Sequence, residues 1–252
     1  MPDKPYSIFK TRNIQQLAHE LAFHEAGHFV FNCLGLQNTK GFSSNEYMSI
    51  CPEKSHLEND NDNMVMGFLP DFSGQTMYAS IKNPEPIEYR EFYRNNKQGL
   101  IAKLLALAAG YATYKVFVKD EEYSISDYIR FDEKQSLING FKSFEVEYYH
   151  EQTDHIKNCS DFRKIGIKLK AYYGIEDFKT RLESISNILC ICRQIMRQPV
   201  VFESIHEVAR ILLNNQCQII KGLDIQELES KIRTKIKDIA YSKILNEYKH
   251  EI

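Results

Sequence analysis

Residues 13–36 read NIQQLAHELAFHEAGHFVFNCLGL, and this stretch decides the architecture. Leu17, Leu21, Phe23, Ala26, Val30, Phe31 and Leu34 recur close to the 3.6-residue period, which predicts a long helix with a broad apolar face. Gly35 follows where a C-terminal stop would stand. A face that wide has to be covered by other elements, so the remaining chain must supply partners for it.

Outward from that helix, residues 37–63 are rich in Asn, Ser, Asp and Gly and predict loops around a short strand near Tyr47–Cys51. Met64–Leu69 is a second strand candidate, closed by Pro70. Pro84 and Pro86 then separate this β region from a succession of helices. Gln98–Val118 is strongly apolar. Ser160–Tyr173 begins at Ser160 or Asp161 and ends before Gly174. Glu176–Met196 and Val201–Leu213 are divided by Pro199, and Asp224 can cap a last helix running towards Tyr248. Residues 119–159, acidic and tyrosine-rich, form an inserted helical excursion. The expected fold is mainly α, of the α+β class, with a small two- or three-stranded β element. The whole of 1–252 is expected to be one domain, with its C-terminal helices at about 201–249.

Apolar residues are 43% and charged residues 26% of the 252, the balance of an ordinary globular chain. The net charge of −2 argues against a dedicated nucleic-acid binder, which would carry clustered basic residues. Arg163 to Lys170 is the nearest basic run, and its alternation with apolar residues fits a solvated helix face. The first residues, MPDKPYSIFKTRN, lack the apolar core of a signal peptide, and no segment offers the ~18 uninterrupted apolar residues of a membrane span. A cytoplasmic setting with reduced thiols follows as the expectation, with Cys190 and Cys192 read as core thiols rather than metal ligands.

Within the first helix, His24-Glu25-Ala26-Gly27-His28 fits H-E-x-x-H. Residues four apart share a helix face, so two imidazoles can converge on one ion, with Zn²⁺ the expected metal. Glu25 emerges about 100° round from His24, where it can act as general base on a metal-activated water. Gly27 in mid-helix costs about 1 kcal/mol relative to Ala, which calls for a reason such as the close approach of another backbone. A catalytic zinc needs a third protein ligand. The metzincin pattern, with Gly and His further along the helix, is excluded because Phe31 and Leu34 stand there.

Glu20 to His28, ELAFHEAGH, resembles the zinc helix of the peptidase domain of the FtsH-type ATP-dependent metalloproteases. Three later stretches agree in order: Tyr47–Pro52 with Met66-Gly67-Phe68, then Leu105–Ala112, then Ser160-Asp161-Phe162. Val208–Leu213 and Gly222–Ile225 are similar to that family's closing helices, so the likeness covers roughly residues 13–235. The resemblance implies that Asp161 is the third metal ligand. A plain helix N-cap suits Asp161 equally well, and Asp154 with the His150/His155 pair are alternatives in the same region.

The departures from the family are as informative. No G-x-x-x-x-G-K-[ST] phosphate loop occurs, the family's membrane helices are missing, and the acidic residue after the glycine-alanine motif is replaced near Tyr114. The expectation is therefore a zinc-dependent endopeptidase acting on unfolded proteins or peptides. It would work alone, as a homo-oligomer, or fed by a separate ATPase. Met64–Leu69, with Met66, Gly67 and Phe68, is the candidate edge for binding an extended polypeptide. The competing expectation is an inactive binding or regulatory protein that keeps the fold.

Overall fold

In the computed structural model the described residues are 14–39, 42, 44–50, 74–78, 93, 95–118, 161–216 and 218–248. The first helix, α1 (Ile14–Asn38), is followed by β1 (Asn45–Ile50) and β2 (Gly74–Tyr78). Then come α2 (Lys97–Val118), α3 (Asp161–Tyr173), α4 (Phe178–Met196), α5 (Pro199–Asn214), β3 (Ile220–Lys221), α6 (Leu223–Lys235) and α7 (Tyr241–Tyr248). The architecture is mainly α with a small antiparallel sheet, as expected.

The central element is α2. From Gly99 to Thr113 every residue but Lys103 is buried, so the helix has no solvated face and must be enclosed by others. It packs chiefly on α1, and on its other sides against α3 and α4, while α1 also packs on α5. Gly27 sits where α1 and α2 meet most closely. A Cβ there would lie 2.6 Å from the Ala109 carbonyl oxygen and 2.3 Å from Thr113 Oγ1. The mid-helix glycine thus marks the close approach of another backbone.

The sheet runs β2-β1-β3, with both pairings antiparallel. Met48 and Ile50 turn inward and are fully buried. Asn45, beside an irregularity in the β1–β2 register, is buried and held from two sides. Its backbone NH and its Nδ2 both donate to Glu229 Oε2 of α6, at 2.9 and 3.0 Å, and its Oδ1 accepts from Asn32 Nδ2 of α1. This polar cluster fastens the sheet to the first and the sixth helices.

Local signals account for most boundaries. Gly174 has φ +65°, and its NH and that of Ile175 close the last turn of α3 on Lys170 and Leu169, a Schellman-type end. Asp177 caps α4 by accepting from the Thr180 NH, and Pro199 opens α5 from its first turn. In α3, Ile165 and Leu169 are buried, while the half-buried Lys168 lies over the Tyr93 and Tyr172 rings and Lys170 pairs with Glu176.

Some expectations are corrected or extended, and others fall outside the described residues. Gly35 does not end α1, which continues to Asn38; a Cβ at Gly35 would strike the ring of Phe42, so the glycine serves packing rather than termination. Asp224 does not cap one long last helix. Gly222, at φ +62°, takes the N-cap position without a side-chain bond, Asp224 lies in the first turn, and the chain breaks at 236–240 into α6 and α7. The partner of β1 is Gly74–Tyr78; the expected strand at 64–69 lies outside the described residues. The two-residue β3 carried too little pattern to be foreseen. The 119–159 excursion also lies outside the described residues.

Candidate metal centre

Helix α1 places His24 and His28 on one face, one turn apart, with ring centroids 4.7 Å apart and planes nearly perpendicular. Asp161, the first residue of α3, brings its carboxylate to the same point across 133 residues of chain. His28 Nε2 lies 3.0 Å from Asp161 Oδ2 and 3.1 Å from His24 Nε2, and His24 Nε2 lies 3.4 Å from Asp161 Oδ2. Ligand atoms ~2.0–2.1 Å from a tetrahedral zinc stand ~3.3–3.4 Å from one another, so the three separations are close to those of a filled site. A triangle of these sides has its corners ~1.8 Å from its centre, inside the reach of zinc–ligand bonds. Among the described residues, His24, His28 and Asp161 are the one group of this kind that could hold a metal ion.

The orientation of His28 is fixed from behind. Its Nδ1 lies 2.7 Å from the Ala106 carbonyl oxygen of α2. A carbonyl only accepts, so Nδ1 carries the proton and, in the neutral ring, the lone pair lies on Nε2, facing the other two groups. Burial on its own would push the His28 imidazolium down. The charge and hydrogen bond of Asp161, the charge of Glu25 and the Ala106 carbonyl outweigh it and hold the group up at about 9. A metal entering the site would displace that proton.

Space for the rings comes from Gly110. A Cβ on this α2 residue would stand 2.4 Å from His28 Nε2 and 2.8 Å from His24 Cε1. Ala106 and Gly110 are themselves one turn apart, so a single face of α2 supplies both the carbonyl and the gap. Sequence reading placed both in an apolar helix without giving them a task; the small-residue run 106–112 was the available signal.

Glu25 is buried, at 5% exposure, and its charge acts on His28. His24 and Asp161 keep 14% and 16% of their side-chain surface exposed against 8% for His28, so the site opens to solvent on the His24/Asp161 side. The donor set of two imidazoles and one carboxylate suits a borderline divalent ion and leaves a coordination position open. Of the remaining candidates, Met66, Gly67 and Phe68 lie outside the described residues, as do Asp154, His150 and His155. Among the cysteines, Cys192 is buried, with its Sγ donating to the Leu105 carbonyl, and Cys190 is half-buried. No helix among the described residues is long and apolar enough to cross a membrane.

Comparison of the chain with protein-family models, with curated proteins and with solved structures finds no match.

Proposed function

We propose that the chain is a zinc-dependent metalloendopeptidase that hydrolyses peptide bonds in unfolded proteins or short peptides. One observation carries the reading: His24 Nε2, His28 Nε2 and Asp161 Oδ2 meet within 3.0–3.4 Å, beside the buried carboxylate of Glu25. Two imidazoles and one carboxylate with an acid on the same helix is a hydrolytic set; a purely structural zinc site is usually closed by four ligands.

Bound zinc would polarise the scissile carbonyl and bring the pKa of a water to about 7. The protein's own share of the chemistry is proton movement and orientation. Glu25 takes a proton from the attacking water and delivers it to the amide nitrogen as the C–N bond breaks. His28, locked by the Ala106 carbonyl, keeps its Nε2 aimed at the site, and Asp161 balances the charge there. Substrate enters from the open His24/Asp161 side. Among the described residues β2 is an edge strand packed near α1, and an extended peptide can add to such an edge through main-chain hydrogen bonds.

The test is cleavage of casein or a peptide library by the wild type and Glu25→Gln, with and without chelator. Chelator-sensitive cleavage, restored by zinc and reduced ~10²–10⁴-fold in Glu25→Gln, is expected. Zinc bound without cleavage would move the chain to the inactive, regulatory reading. A natively purified protein with no affinity for zinc would defeat both.

A further inference from the structure

We infer that Gly110 is a positioning residue of the metal centre: it reserves, on the flank of α2, the space in which the two imidazoles converge. The inference rests on the metal-binding reading above and assigns a task to a residue that touches no metal. A mid-helix glycine in a buried helix is unfavourable relative to alanine, so its presence asks for a packing reason. At Gly110 the neighbours of an added methyl group would be the ligand edges themselves, His28 Nε2 and Cε1 at 2.4 and 2.7 Å and His24 Cε1 at 2.8 Å. Real Cβ atoms essentially never stand under 3.0 Å from a neighbour, so something must shift.

The His28 ring has little freedom to give way. Its Nδ1 is hydrogen-bonded to the Ala106 carbonyl, one turn along the same helix that would carry the new methyl. Rotating the ring to relieve the contact breaks that bond and swings Nε2 off His24 and Asp161. Moving α2 outward instead pulls the Ala106 carbonyl from Nδ1. Either response misplaces a ligand atom. The two glycines of α1 face different groups: Gly27 meets Ala109 and Thr113, and Gly35 meets Phe42. The gap at Gly110 is specific to the imidazoles.

The experiment uses the full chain as wild type, Gly110→Ala and Gly35→Ala. The last crowds Phe42 two turns from His28 and controls for overpacking alone. Zinc affinity is measured by competition with a chromophoric chelator, and Co²⁺ substitution reports coordination through its visible absorption bands. Gly110→Ala is expected to weaken Zn²⁺ by about 10–100-fold, the range for partners that orient ligands, and to alter the Co²⁺ bands, while Gly35→Ala keeps both. Equal zinc affinity and identical Co²⁺ bands in Gly110→Ala and wild type would overturn the inference and leave the metal site standing. A wild type that binds neither ion would overturn the metal reading and the inference with it. If Gly110→Ala does not fold, a wild-type nuclear Overhauser contact decides the question. The Gly110 Hα protons should lie against the Hε1 protons of His28 and His24, and their separation would refute the assignment.

Discussion

His28 Nδ1 donates to the carbonyl oxygen of Ala106 at 2.7 Å, so the orientation of a candidate metal ligand on α1 is set by the backbone of α2. Both ends of that bond are buried, and the α1–α2 contact has to be close for it to form. Gly27, one residue before His28, permits the approach, because the Ala109 carbonyl and Thr113 fill the space a side chain would need. The site is a consequence of how two helices pack, not only of a five-residue motif.

Gly27→Ala should therefore destabilise the fold although alanine is the better helix former. Propensity favours the substitution by about 1 kcal/mol, but overpacking costs about 1–3 kcal/mol, and the obstacle at 2.6 Å is a backbone oxygen that cannot rotate away. With the propensity gain subtracted, a net loss of up to about 2 kcal/mol in urea unfolding is expected. A stabilised variant would mean that the helices do not approach as described.

Metal binding should couple to stability through Asp161. The candidate ligands join α1 to the start of α3, so an ion held by them would bind the folded chain and not the unfolded one. Zinc at 100 times its Kd contributes about 2.7 kcal/mol, which corresponds to a Tm rise of ~5–10 °C in a domain of this size. Calorimetry with zinc and then with chelator measures it. Asp161→Ala should lose most of that rise, since its oxygen lies 3.0 and 3.4 Å from the two histidines. An unchanged rise in Asp161→Ala would remove it from the ligand set.

How much of this was readable before the structure follows from the range of each interaction. Residues 13–36 announced their helix by periodicity, and His24, Glu25 and His28 announced a candidate site by spacing, because both signals lie within a few turns of one chain segment. Asp161 came only through the family resemblance, since nothing local distinguishes a ligand carboxylate from an N-cap; in the fold its carboxylate lies 3.0 Å from His28. The role proposed for Gly110 was invisible in sequence because it lies in what an absent Cβ would strike on another helix. Gly35 misled for the same reason: a glycine near a helix end suggests a stop, while tertiary contact with Phe42 was the actual constraint. Asn45 and Glu229, 184 residues apart, left no trace in sequence pattern at all.

That pair predicts a large effect from a residue far from the metal. Glu229 Oε2 accepts from both the NH and the Nδ2 of Asn45, and all three groups are buried. Glu229→Ala leaves two buried donors unsatisfied, at about 1–3 kcal/mol each, so a loss of about 2–6 kcal/mol is expected. Glu229→Gln keeps an acceptor oxygen and should lose less. Denaturant unfolding of both variants measures the difference. Equal stability of Glu229→Ala and wild type would show that the cluster does not fasten the sheet.

The α5–α6 contact should depend on pH. Glu207 of α5 pairs with Lys231 and Lys235 of α6, and its own side chain is only 11% exposed. Burial raises its carboxyl, but the hydrogen bonds and charges of the two lysines outweigh that and leave it below the usual 4.5. A folded-state value below the unfolded one means that the unfolded chain binds the proton more readily. The contribution is therefore complete above the unfolded value near 4.5 and is lost as pH falls through the lower folded value. The lysines are 60% and 40% exposed, so screening limits the gain to about 1 kcal/mol. Glu207→Gln should be less stable than wild type by about that amount at pH 7 and low salt, with the gap closing as pH falls below the unfolded value and narrowing in high salt. A gap that persisted unchanged into acid would place its origin in packing rather than in the ion pairs.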